Sequence, residues 1–254
     1  LLRRSYGMIL ATGPTGSGKT TTLYTSLNQI NSPEKHIITI EDPVEYNLPL
    51  IRQSQVNPKA GVTFATGLRA IIRQDPDIIM VGEIRDSETA SIAIHAALTG
   101  HLVFSTLHTN DAPSACTRLI DMGIEPFLIS SSIIGVLAQR LVRVLCSSCK
   151  EERAGVETMV KYFPDQKLPE GAALYSAVGC DECHHIGYRG RTALFELMMM
   201  TESIRSKIMQ RVSASELKAL SRKEGMKTIF DDGIDKVLRG VTTLEEVMRV
   251  STED

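Results

Sequence analysis

The sequence predicts an α/β fold, an open sheet with helices between its strands, followed by a small cysteine-bearing segment and a helical tail. Three observations carry this. Residues 8–11, Met-Ile-Leu-Ala, form a short apolar run that feeds a glycine loop and then a helical stretch with Leu23 and Leu27 on one face. Further apolar runs at 37–40, 78–81 and 102–104 read as buried strands, with helix-like segments between them. After residue 145 the composition shifts to two C-x-x-C pairs, and from residue 201 the chain reads as helical. The expected segments are 1–142 for the sheet, 143–195 around the cysteines and 196–254 for the helical tail.

The glycine loop organises the rest. Residues 13–20, Gly-Pro-Thr-Gly-Ser-Gly-Lys-Thr, match G-x-x-x-x-G-K-[ST] at every fixed position. A strand, such a loop and a helix aim backbone N–H groups and the positive helix end at a polyphosphate. Gly13, Pro14, Thr15, Gly16, Ser17, Gly18, Lys19, Thr20 and Thr21 are therefore the expected nucleotide contacts. Lys19 lies against the β- and γ-phosphates in this reading, and Thr20 holds Mg²⁺. The alternative is a chance glycine turn, and the Lys-Thr pair with its flanks argues against it.

Composition sets bounds. The 254 residues are 43% hydrophobic and 23% charged, which is ordinary for a globular protein. Aromatics are only 5% and Trp is absent, so the core rests on Ile, Leu, Val, Met and Ala. The net charge of −2 does not support a broad footprint on nucleic acid. No apolar run reaches the roughly 18 residues of a membrane span. No signal peptide is visible and the chain opens on Leu1 rather than Met, which reads as a piece of a longer protein.

The run 37–40 ends in Glu41 and Asp42. Ligands of open α/β sheets bind beyond the carboxyl ends of the strands, so these acids are expected beside the nucleotide. Glu41 then orients or deprotonates the attacking water; the alternative is an acidic surface turn. Residues 51–57 alternate weakly, as an edge strand would. Residues 65–75 read as a helix with Arg69 and Arg73 on one face. That pair reaches phosphates or a neighbouring subunit, or forms a solvated basic face. The run 78–81 is followed by Glu83, placed where phosphate-loop enzymes carry the acid that handles Mg²⁺ and its waters. Arg85 and Asp86 are equally a local surface pair. A helix from Ser87, stopped by Gly100, carries His95 as a packed or solvated residue. Beyond 102–104, Ser105, Thr106, His108 and Asn110 gather where polar groups sense the γ-phosphate. Residues 113–122 and 126–142 read as two helices, the second with an apolar stripe at Ile129, Ile133, Val136, Leu137 and Leu141.

Cys146 and Cys149 are followed by residues 150–179 and then Cys180 and Cys183. Two such knuckles read as a tetrahedral structural Zn²⁺ site, although the gap exceeds the usual ~15–20 residues. His184 and His185 are alternative ligands, but four thiolates suffice. Redox chemistry is the competing reading, and the pairing of knuckles favours metal. Cys116 reads as a buried thiol. In the tail, Ser213 with Glu216 and Thr242 with Glu245 read as capping boxes.

These motifs together resemble the secretion ATPase superfamily. The phosphate loop, the acidic box at 38–45, the run 79–86 with Glu83, and the histidine box at 100–110 occur in that family's order. The four-cysteine insert narrows the resemblance to type II secretion ATPases and the pilus-assembly ATPases similar to them, because pilus-retraction ATPases lack it. Residues 121–140 look more like the type II secretion branch. The resemblance implies a RecA-like motor core, a zinc subdomain and a helical subdomain, with the family's N-terminal domains outside this chain. It implies ATP hydrolysis with Mg²⁺, coupled to assembly of pilin-like subunits. It further implies a homo-hexameric ring in the bacterial cytoplasm, peripheral to the inner membrane and docked through secretion-platform partners. By the same resemblance Glu41 matches the proposed general base, Glu83 the second acid, and His101 and His108 the histidine pair. Neighbouring arginines complete the family's site, and Arg69, Arg73 and Arg85 all remain candidates. Competing readings are a pilus-extension motor, a zinc-dependent nucleic-acid module or DNA-transfer motor, and a scaffold that uses nucleotide as a switch. The acidic balance weighs against nucleic acid, and the intact set Lys19, Glu41, Glu83 and His108 against the scaffold.

Overall fold

A computed structural model describes residues 1–153 and 173–251. The described residues form two compact units, Leu1–Gln139 with Glu196–Met226, and Arg140–Phe195 with Lys227–Asp254. These units do not coincide with the segments 1–142, 143–195 and 196–254. The first stretch of the tail packs with the sheet, and its last two helices pack with the cysteine-bearing residues. Residues 154–172 take in most of the segment expected to form a subdomain between the knuckles, so that expectation lies outside the described residues.

The first unit is built on a sheet. Its strands are β1 (Gly7–Thr12), β2 (Ile37–Glu41), β3 (Arg52–Gln55), β4 (Ile78–Val81), β5 (Leu102–Leu107), β6 (Ile133–Leu145) and β9 (Tyr188–Met199), in the order β3-β2-β4-β5-β1-β6-β9. β6 and β9 run on into the second unit. Neighbours from β3 through β1 to β6 pair in parallel, so their carboxyl ends share one edge. β1, β2, β4 and β5 are buried at every residue, as strands covered by helices on both faces must be. Leu23, Tyr24 and Leu27 of α1 (Lys19–Ile30) pack on Ile9, Ala11, Ile37, Met80 and Phe104. Helices α2 (Phe64–Ile72), α3 (Ser87–Leu98), α4 (Ala112–Asp121) and α5 (Pro126–Ser132) complete the layer connections. In α6 (Glu202–Met209) and α7 (Ala214–Lys223) the unit adds a short helical cover, with Lys218 of α7 paired to Asp111 at the start of α4.

The helix expected over 126–142 is not formed as such. It ends at Ser132, and Ile133 begins β6. β1 is fully buried, and its outer edge needs hydrogen-bond partners that a helix cannot supply. β6 supplies them in register, with Leu10 opposite Val136 and Thr12 opposite Ala138. The β-branched residues Ile133, Ile134 and Val136 suit this extended backbone. A Cβ at Gly135 would stand 2.9 Å from the Leu1 side chain. A strand that is apolar on both faces imitates a helical stripe when only spacing is counted.

The second unit holds a two-stranded antiparallel ribbon, β7 (Lys150–Arg153) with β8 (Leu174–Ala177), and two helices, α8 (Ile229–Leu238) and α9 (Leu244–Ser251). The helices meet at Gly233, where an added Cβ would lie 2.4 Å from Val247. Glu246, only 2% exposed, is held by Arg143 and Arg249, and Arg143 lies 4.1 Å over the Tyr188 ring. The cap expected at Thr242 lies one residue later and is a single threonine cap, since the Glu246 carboxylate is bonded to Arg143 and Arg249. Thr243 accepts from the Glu246 backbone N–H, while Thr242 donates to the Arg143 carbonyl.

Candidate functional site

The phosphate loop leaves the carboxyl end of β1 and turns into α1. Gly13, Gly16 and Gly18 all take positive φ, at 146°, 78° and 87°, which L side chains rarely adopt. A Cβ at Gly16 would meet nothing within 4 Å, so the loop is open at this exposed position. Lys19 Nζ donates to the carbonyls of Gly13 at 2.8 Å and Pro14 at 3.0 Å, which folds the ammonium back over the loop. Ser17 is buried, and its hydroxyl finds no partner among the described residues. Open loop space and an orphaned hydroxyl fit a bound polyphosphate.

Two side chains outside the motif brace the loop. Thr12 Oγ1 bonds the Leu107 carbonyl at 3.1 Å and accepts from the Thr109 N–H at 2.9 Å, tying β1 to the turn after β5. Gln139, 2% exposed at the end of the first unit's part of β6, reaches back into the loop itself. Its Nε2 donates to the Ser17 carbonyl at 2.7 Å, and its Oε1 accepts from Thr22 Oγ1 at 2.7 Å. Sequence reading missed both residues. Gln139 was hidden by the helix expected over 126–142.

Beside the loop, the ends of β2, β4 and β5 bring a charged cluster together. Glu83 follows β4 with its side chain 16% exposed. Arg85 pairs with it, and His108 Nε2 approaches its other oxygen at 3.4 Å. Arg85 also lies 3.6 Å from Asp42 Oδ2 and 5.9 Å over the Phe64 ring. Burial pushes the Glu83 carboxyl up, but the hydrogen bond and charge of Arg85, helped by His108, outweigh it and hold the group below the usual carboxylate range. Ser105 and Thr106 are spent structurally, donating to the carbonyls of Val81 and Gly82 at 2.8 Å each. His108 is half exposed, as a group meant to meet a ligand would be.

Glu41 sits differently from the expectation of an acid facing the nucleotide. It is 2% exposed and accepts from Tyr24 Oη, from Thr39 Oγ1 and, at 3.1 Å, from Gln53 Nε2. Tyr24 belongs to α1, so this buried network ties the phosphate-loop helix to the acidic edge. Burial first, then the Glu41 carboxylate, raise the Tyr24 phenol above its ordinary value. His101 does not join the site within one chain. It precedes β5 while His108 follows it, and a six-residue strand spans roughly 20 Å. His101 instead lines a cavity of about 450 Å³ with Arg4, Lys35, Asp75 and Asp77. Arg69 is paired with Glu88 at 2.7 Å on the surface.

The four cysteines converge as their spacing predicts. Their sulfurs all lie within 4.8 Å of one another. The separations of Cys146 from Cys180, Cys149 from Cys183 and Cys180 from Cys183 are 3.9, 3.8 and 3.8 Å. A tetrahedron of thiolates at ~2.3 Å from a zinc ion has edges of about 3.8 Å, so the set fits Zn²⁺. Burial opposes ionisation of Cys183, but the N–H groups of Cys180 and Gly187 outweigh it and bring the thiol down to about 6. Cys116 stands apart in the first unit, where burial pushes its thiol up to about 12. An inert core thiol results.

A family model described as Type II/IV secretion system protein matches residues 1–249. Type II secretion system ATPase E of Vibrio cholerae serotype O1 is 56% identical over 253 residues, covering 100% of this chain and 50% of that protein. Type IV pilus assembly ATPase PilB of Thermus thermophilus is 54% identical over 254 residues, covering 100% of this chain and 29% of that protein. Among solved structures, the pilus retraction motor PilT with bound ADP matches at a TM-score of 0.73 and 32% identity, covering 98% of this chain and 62% of that one. The chain spans half or less of the length of these two curated relatives.

Proposed function

The chain belongs to the Type II/IV secretion system protein family, and from that premise we propose that it is the ATP-hydrolysing core of a motor that drives pseudopilus assembly and protein export in type II secretion. The observation that carries the reading is the meeting of the phosphate loop with Glu83, His108, Arg85 and Asp42 at one edge of a parallel sheet.

In this reading the backbone N–H groups of residues 13–21 cradle the phosphates of ATP. Lys19 moves from the carbonyls of Gly13 and Pro14 to the β- and γ-phosphates. Thr20 and Glu83 would hold Mg²⁺, and the ion would supply positive charge beside the transferring phosphoryl group. Glu83 stays ionised through neutral pH, because Arg85 and His108 hold its carboxyl low, and it orients the attacking water. His108 donates to the γ-phosphate side. Glu41 is closed to solvent behind Tyr24, so its part is to position the acidic edge rather than to take the water's proton. The cysteine cluster would hold Zn²⁺ as a structural ion. Assembly into a homo-hexamer, with arginines supplied across the ring, and docking to inner-membrane platform proteins from the cytoplasmic side complete the proposal. Among the described residues no helix is long and apolar enough to cross a membrane, so membrane association runs through partners in this reading.

The test is ATP turnover per chain across a dilution series, with oligomer size followed by light scattering. A supplied arginine is worth about three to five orders of magnitude in rate. Specific activity therefore rises as chains associate. Flat, high activity from a strict monomer would rule out a shared site. A second reading, the type IV pilus-extension motor, is favoured by the 54% identity to PilB. Restoring either secretion or piliation in the matching deletion strains separates the two.

A further inference from the structure

Gln139 carries an assignment that no motif of the chain makes. Its amide spans the phosphate loop from behind, bonding the Ser17 carbonyl on one side and the Thr22 hydroxyl on the other, both at 2.7 Å. The two partners fix the amide's orientation chemically. A carbonyl only accepts, so it must face Nε2, and Oε1 is then left to accept from the threonine. One buried side chain thus sets the distance between the last turn of the loop and the first turn of α1. Gly18, Lys19, Thr20 and Thr21 lie between those two points.

We propose that Gln139 is a positioning residue for nucleotide binding. It pins the Ser17 carbonyl away from the phosphate cradle, so that the N–H groups of Gly18, Lys19 and Thr20 point into it. The inference rests on the phosphate loop being a nucleotide site. Its consequence is specific to the donor on Nε2. A carboxylate in its place keeps the bond from Thr22 but loses the donor, and sets one negative oxygen against the Ser17 carbonyl. The neutral acid has the amide's pattern of one donor and one acceptor, and it restores the arrangement.

The experiment measures the affinity for a fluorescent ATP analogue with Mg²⁺ in the intact protein, for the parent, Gln139→Glu, Gln139→Leu and Thr22→Val, from about pH 8 to about pH 5.5. Only the share of each bond's energy that orders the loop for phosphate reaches the affinity, so binding should weaken by about three-fold or more in Gln139→Leu at every pH, and by less in Thr22→Val. Gln139→Glu is expected to match the leucine variant at high pH and to recover toward the parent as pH falls. Burial and the facing carbonyl raise its carboxyl above the ordinary ~4.3, which brings the recovery into a range where the protein stays folded. Parent-like affinity of Gln139→Glu at all pH overturns the proposal, and so does an equal loss at all pH. If the Gln139 variants do not fold, parent-like affinity in Thr22→Val overturns it. Lys19→Ala separates the two levels of inference. If the parent binds no better than Lys19→Ala, the nucleotide reading itself fails.

Discussion

The charged edge of the first unit and the thiol cluster of the second face the same difficulty, since each gathers like groups that repel when alone. The first answers it within the protein. Glu83 and Asp42 share Arg85, His108 leans on Glu83, and the strands beneath are buried and paired along their length. The second brings four thiols within 4.8 Å of one another, and its knuckles stand on short turns. A few N–H groups, such as those of Gly179, Cys180 and Gly187, stabilise negative sulfur there. The contrast teaches where each site's energy resides. On the proposed roles, losing a charged residue from the first should remove chemistry and leave the fold, whereas losing a ligand from the second, or the ion proposed for it, should remove the fold locally.

The largest expected effect breaks the first site alone. Lys19→Ala should weaken ATP binding by about 100-fold or more, on the scale of losing a buried charge-assisted contact to phosphate. Its melting temperature without nucleotide should stay near the parent's. A melting temperature that falls along with the affinity would mean that the loop is part of the fold's stability, and the contrast would blur.

The second effect tests the other half. Stripping zinc with a strong chelator, or replacing Cys183 with Ser, should abolish protection of amides around 146–150 and 180–188 in hydrogen exchange, while β1, β4 and β5 keep theirs. Elemental analysis should find one Zn²⁺ per chain. Protein purified without chelator and lacking zinc, yet protected around the knuckles, would remove the metal from the account.

A smaller effect sharpens the comparison within the second unit, because Glu246 is an acid compensated internally. Glu246→Ala should cost about 1–2 kcal/mol through the charge-assisted bonds it removes, since Arg143 and Arg249 are themselves half exposed and regain water. Burial opposes its charge, but the hydrogen bonds of Arg249 and Arg143 bring its carboxyl from 4.5 to about 2. A depressed carboxyl stabilises the fold fully above its unfolded value, so this contribution is lost as pH falls from about 4.5 toward 2. Acid unfolding of the Glu246→Ala variant should be correspondingly flatter over that window. The smallest effect is at the exposed Arg69–Glu88 pair, whose disruption should change stability by less than about 0.5 kcal/mol.

How much of this was legible in the sequence follows the range of each interaction. The loop at 13–20, Glu83 after its strand and the two C-x-x-C knuckles are set by neighbours a few residues apart, and the structure places them as the spacing predicts. Gln139, Tyr24 and Thr12 act through partners 17 to 122 residues away, and no local pattern marks them. β6 was misread because its pairing with β1, not its own periodicity, makes it a strand. His101 and His108 look like one box in the sequence, yet an extended strand sends them to opposite ends of the sheet. The tail divides between two units because Lys218 and Glu246 find their partners in different parts of the chain.

The central claim is that the sheet edge performs nucleotide chemistry with Glu83 as its working carboxylate. Bound ATP and released phosphate, measured in the same samples of parent and Glu83→Gln, test it most directly. The amide keeps the shape and loses the charge that organises metal and water. Binding should stay within a few-fold of the parent, while turnover falls by about two to three orders of magnitude. Hydrolysis by Glu83→Gln at the parent rate would contradict the account.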